Sequence, residues 1–162
     1  MKRLLILRHA KSSWADTTQD DWQRPLNDRG RRDAPRAGQW LRERAIVPDL
    51  ILTSGAVRAR TTAQAVATAS GFSRDLVTDP SLYLAKPAEI LDAVSRVGDD
   101  YAIVLVVGHN PGLEDLVHVL TGESHGMVTA ALVDLELSID HWRDLDGTTE
   151  ASIVATWQPK SE

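Results

Sequence analysis

The chain has 162 residues, enough for one hydrophobic core and, as an expectation, a single domain over residues 1–162. It contains no cysteine, which rules out disulfides, Cys-ligated zinc and a thiolate nucleophile. Its net charge of −5 gives no general attraction to nucleic acid or to an anionic membrane, so any anion site must be a local concentration of positive charge.

In chain order, residues 3–7 read as a buried strand. The short apolar run stops at Arg8 and His9, too soon for a signal-peptide core. No stretch approaches the ~20 apolar residues that cross a bilayer, so a cytoplasmic protein without a membrane partner is expected. Residues 11–27 are polar and read as a loop, with Trp14 and Trp22 packing it onto the core rather than flanking a pocket. Asn27 is positioned to cap a helix running to about residue 45, with Ala34, Ala37 and Leu41 at helical spacing. Residues 50–52 give a second strand, residues 57–69 a helix stopped by Gly71, and residues 76–78 a third strand.

Pro87 opens a helix with Ile90, Leu91, Val94 and Val97 on one face. Residues 102–107 form the most continuous apolar run, the mark of a central parallel strand. Asn110 then caps a helix with Pro111 in its first position and Leu113, Leu116, Val117 and Leu120 turned inward. Residues 132–137 and 152–157 read as late strands at an antiparallel edge, and residues 158–162 as a loose tail. This alternation predicts a three-layer α/β/α sandwich, a mostly parallel sheet with helices on both faces.

Three of these strands are followed by cationic or imidazole side chains: Arg8 and His9 after the first, Arg58 after the second, His109 after the strand at 102–107. Ligands of open α/β sheets collect beyond the carboxyl ends of the strands. Two arginines and two histidines delivered to one edge of an acidic protein are best explained by an anion. His109 precedes a helix start, where free N–H groups and the positive dipole end also favour one.

These segments resemble the histidine phosphatase superfamily. Leu7-Arg8-His9-Ala10 is similar to its Arg-His-Gly motif, and the run from Ser54 to Ala63 to its Ser-x-x-x-Arg-Ala-x-x-Thr motif. Gly108-His109-Asn110-Pro111 matches its third motif, and with Arg24-Pro25-Leu26 followed by Gly30 it resembles the short SixA-type phosphohistidine phosphatases. Departures are Ala10 for the usual Gly, Asn27 for Thr or Ser, Gly55 for a common Pro, and Arg60-Thr61 for an x-Gln pair.

The resemblance implies a phosphoglycerate mutase-like fold and a metal-independent phosphatase with no cofactor. His9 would become phosphorylated, and Arg8, Arg58 and His109 would bind the equatorial oxygens. Lys11, Ser12 and Arg24 are candidates for the phosphate site, although a solvated loop explains Lys11 and Ser12 as well, and Arg24 could instead pair with a nearby acid. Glu89 is the candidate general acid, although its place on a helix suits a dipole-stabilised surface carboxylate equally. The implied substrate is a phosphohistidine-containing protein, with small phosphate monoesters or sugar phosphates as the alternative. The chain is expected as a monomer or weak dimer. A mutase would need more chain between residues 72 and 101. A non-catalytic phosphate-binding module would lack His9, and a zinc hydrolase would place the arginines against a metal. His118 and His141 carry no predicted role, His125 reads as a loop residue, and Asp99-Asp100 reads as a turn.

Overall fold

The computed structural model describes residues 1–160. Its elements are β1 (Lys2–Arg8), α1 (Asp28–Glu43), β2 (Leu50–Thr53), α2 (Val57–Ser70), β3 (Val77–Thr78), α3 (Pro87–Ser95), β4 (Ile103–Gly108), α4 (Gly112–Thr121), β5 (Leu132–Leu137) and β6 (Ala151–Trp157). They form one six-stranded sheet in the order β3-β2-β4-β1-β5-β6. The first four strands are parallel, and β5 and β6 join antiparallel at the β1 side.

Strand alternation divides the core between the two faces. Leu4 and Ile6 of β1, with Val104 and Val106 of β4, pack in a cluster shared with α3 and α4. Leu5, Leu7, Leu105 and Val107 point the other way, toward α1 and α2. Both strands are buried on both sides, which is why their sequences show continuous apolar runs. Each such fully buried aliphatic side chain contributes roughly 1.5–3 kcal/mol.

Helices α1 and α2 approach closely because Gly38 leaves room. A Cβ there would lie 2.6 Å from the Val66 carbonyl oxygen and 2.7 Å from the Ala69 Cβ. The Asn27 side chain accepts from Gly30 N at 2.8 Å and starts α1 as expected. Helix α4 begins one residue later than the sequence suggests, at Gly112, with Pro111 before it. Asn110 still serves that start, since its Oδ1 accepts from Glu114 N at 3.3 Å. Gly112 is required at this point because a Cβ would sit 1.9 Å from the Ala85 carbonyl oxygen.

The chain beyond β6 is less loose than expected. Pro159 is buried and the Lys160 carbonyl accepts from Arg29 at 3.1 Å, while residues 161–162 of the expected tail lie outside the described residues. No helix among the described residues is long and apolar enough to cross a membrane.

Candidate active site

The parallel strands end on a cleft of about 450 Å³ that Arg8, His9, Arg58 and His109 line together. Each comes from a strand end or the turn after it. Arg8 closes β1 and His9 follows. His109 follows β4, whose last residue Gly108 pairs in register with Arg8. Arg58 stands in the first turn of α2, just beyond β2. The His9 and His109 rings lie 5.1 Å apart, and Arg58 Nη2 is 3.5 Å from His109 Nδ1.

The hydrogen bonds of His9 fix its tautomer. Its Nδ1 lies 2.7 Å from the Ala10 carbonyl oxygen. A carbonyl only accepts, so Nδ1 carries the proton and Nε2 keeps its lone pair. The Ala10 peptide is itself anchored, since Ala10 N donates to Thr62 Oγ1 at 3.0 Å and that hydroxyl donates to the Arg58 carbonyl at 2.7 Å. On the other imidazole, His109 Nε2 meets Ser54 Oγ at 2.8 Å.

Burial drives both imidazoles toward neutrality. It pushes the pKa of His9 down to about 4, against the Ala10 hydrogen bond and with help from the charges of Arg58, Arg8 and Arg24. It pushes His109 down to about 3, with the His9 and Arg58 charges adding to the effect. The Nε atoms of Arg8 and Arg58 are buried and have no hydrogen-bond partner within the protein. A buried N–H without a partner is costly.

Asp21 organises the cationic side of the cleft. Its Oδ1 accepts from Arg24 Nε at 3.0 Å, its Oδ2 accepts from Arg58 Nη2 at 2.9 Å and from the Tyr83 hydroxyl, and its carbonyl accepts from Arg58 Nη1 at 2.7 Å. Partial burial opposes its ionisation, but the bonds from Tyr83, Arg24 and Arg58 outweigh that and hold its carboxyl well below the usual range. Sequence reasoning missed Asp21, Leu84 and Thr129, all of which line the cleft. The one signal for Asp21 was its place three residues before Arg24.

The remaining candidates divide. Lys11, Ser12 and Arg24 all line the cleft. Arg24 pairs with a nearby acid, Asp21, and also lines the cleft, where it bonds Ser12 Oγ at 2.7 Å. Glu89 is the exception. It is exposed, does not line the cleft, and accepts from Lys86 N at 3.0 Å as the reciprocal half of a cap on α3. The structure therefore corrects its assignment as the acid and favours the helix-end role.

The two loop tryptophans also part company. Trp22 packs inward, with its ring 2.3 Å from where a Gly55 Cβ would be, which accounts for glycine at that position. It also meets Tyr83 edge-on at 4.8 Å. Trp14 does not pack onto the core as expected; it lies exposed on the cleft lining. His125 and His118 border a separate depression with Glu114 and Asp115, and His141 bonds Asp99 at 2.8 Å.

Neutral imidazoles among guanidinium groups, at the carboxyl end of a mostly parallel sheet, define an α/β protein with a cleft suited to an oxyanion. Comparison with known proteins agrees. The sequence model of the histidine phosphatase superfamily (branch 1) matches residues 4–83. The uncharacterized protein Rv1276c of Mycobacterium tuberculosis is 39% identical over 118 residues, 73% of this chain and 72% of its own. The crystal structure of a protein assigned as the phosphohistidine phosphatase SixA from Agrobacterium tumefaciens superposes with a TM-score of 0.83 at 28% identity, covering 98% of each chain. Another so assigned, from Nakamurella multipartitia, gives 0.86 at 28% identity over 99% of this chain and 97% of its own.

The chain belongs to the histidine phosphatase superfamily, in its SixA-type branch, and has that family's phosphoglycerate mutase-like fold.

Proposed function

We propose that this phosphatase works through a covalent phosphohistidine on His9 and that its substrate is a phosphohistidine carried by a protein. The observation that carries the reading is the tautomer of His9, which leaves Nε2 free inside a cleft lined by Arg8, Arg58 and His109. Nε2 attacks phosphorus in line, the bond from phosphorus to the leaving imidazole breaks, and that imidazole departs neutral because its second nitrogen is already protonated. Water then attacks the phosphoryl group on His9, giving inorganic phosphate and restoring the free imidazole. Arg8, Arg58 and His109 stabilise the equatorial oxygens, and one such donor is typically worth ~3 kcal/mol of barrier. The guanidinium charges stand where other phosphoryl-transfer sites use a metal, so no step calls for one.

The leaving group follows from the acids at hand. An alkoxide must be protonated as it departs. The carboxylate on the cleft lining is Asp21, and its three donors keep it ionised. That supports an N–P substrate over an alkyl ester. A cytoplasmic setting suits the reading, since the chain has no cysteine and needs no disulfide.

The test compares phosphohistidine, phosphoserine and an aryl phosphate, each with chelator present, for the wild type and His9→Ala. We expect turnover of phosphohistidine well above phosphoserine, no turnover in the variant, and trapped label that is stable to base and lost in acid only where His9 is present. Activity that survives His9→Ala removes the nucleophile, and equal rates on phosphoserine remove the N–P preference.

A further inference from the structure

The mouth of the cleft carries two apolar side chains that the phosphoryl chemistry does not use. Trp14 lines the cleft yet is 73% exposed, and Leu84 lines it at 55% exposed. Among the described residues, these are the two large exposed apolar side chains that border this cleft.

Neither is there by default. The Arg24 guanidinium stacks on the indole of Trp14, with Cζ 3.5 Å from the ring centroid, and Arg24 is itself buried and tied to Ser12 and Asp21. The indole is thus braced from one side by a fixed cation and is otherwise open to solvent. Leu84 has φ 49°, in the left-handed region that a leucine disfavours. Such strain persists where its surroundings fix it, and it gathers at ligand sites.

The direction of the reaction gives these side chains a use. In-line displacement sends the leaving group away from the nucleophile. His9 lies buried, so the leaving group emerges toward the mouth. Resting on the phosphatase reading above, we propose that Trp14, braced by Arg24 and with Leu84 completing the apolar lip, is a stacking platform for a planar ring on the leaving side of the phosphoryl group. The imidazole of phosphohistidine, protonated on its second nitrogen, is one such ring and an aryl group is another. Each offers a flat face to the indole, and the imidazole adds charge. Trp14 is therefore a specificity-determining residue for the leaving group.

The experiment measures kcat/KM on phosphoramidate, which has an N–P bond and no ring, on phosphohistidine, and on p-nitrophenyl phosphate, for wild type, Trp14→Ala and Trp14→Phe. In Trp14→Ala, activity on the ring-bearing substrates should fall about two- to tenfold relative to phosphoramidate, the usual worth of an aromatic pair. Trp14→Phe should recover most of that ratio. A differential loss confined to one ring-bearing substrate tells which ring the platform accepts. An equal loss on all three substrates overturns the proposal, because Trp14 would then act only by steadying Arg24. A wild type inactive on all three overturns the phosphatase reading beneath it.

Discussion

Replacing His9 by Gln tests the physical state of the proposed nucleophile apart from any substrate. His9 is held near pKa 4 in the folded protein, against 6.5 when solvated. Below pH 6.5 the unfolded chain takes up a proton on this imidazole that the folded chain refuses. Stability is therefore fully present above 6.5 and lost as the pH falls toward 4, where the folded form also protonates and the loss stops growing. At ~1.4 kcal/mol for each pH unit of difference, His9 alone accounts for about 3 kcal/mol. His109, near pKa 3 partly because of the His9 charge, loses stability in the same direction, and the two contributions overlap rather than add. Gln keeps a polar side chain of similar reach but does not titrate. Urea unfolding at steps from pH 7 to pH 4 should therefore show His9→Gln gaining on the wild type by about 3 kcal/mol across that window, and the two curves should run together above pH 7. Parallel curves through the acid range would mean that His9 titrates as an ordinary exposed histidine, and the account of a buried neutral nucleophile would be wrong.

Two further substitutions probe the supports of the site. If the Ser54 hydroxyl donates to His109 Nε2, 2.8 Å away, the His109 proton lies on Nδ1, where it and Arg58 can donate to one oxyanion. Ser54→Ala should then lower kcat about tenfold and shift the imidazole tautomer seen by 15N NMR, and Ser54→Thr should restore both; an unchanged rate and tautomer would reduce the contact to packing. Asp21→Ala removes the carboxylate shared by Arg58, Arg24 and Tyr83. It should lower kcat/KM about 10- to 100-fold by loosening two arginines of the proposed phosphate site. A rise in kcat/KM would instead show the carboxylate competing with phosphate for the same guanidiniums.

Much of this arrangement was legible in the sequence, and the reason is positional. Arg8 closes a strand, and His9 and His109 directly follow strands, whose apolar runs leave no doubt about their course, so a residue's number alone puts it at the sheet edge. Arg58 needed only the assumption that α2 starts where β2 ends. Asp21 opens a single 3-10 turn and Leu84 and Thr129 lie in turns, too short to show a period, and their place at the cleft depends on how those segments cross the molecule. Glu89 was misread because its chemistry drew notice before its position. A glutamate three residues after a helix cap reaches back to the cap N–H, and that local use claims it before any substrate does.

His9, His109 and Arg8 share one buried environment yet take different charge states, and their intrinsic pKa values decide which. Burial lowers the pKa of Arg8 as it does those of His9 and His109. Arg8 starts far above neutrality, so the same kind of push leaves it a cation at neutral pH, whereas each imidazole, starting from 6.5, falls well below neutrality. Desolvation thus leaves the imidazoles neutral and Arg8 charged without a separate device for each, as the proposed nucleophile and oxyanion receptor require. The sorting also explains why the cation partner must be arginine. A lysine starts closer to neutrality and loses charge readily when buried, and it lacks the planar fork that binds two oxygens at once. Replacing either arginine by lysine therefore changes the charge logic of the cleft as well as its geometry, even though both residues count as basic.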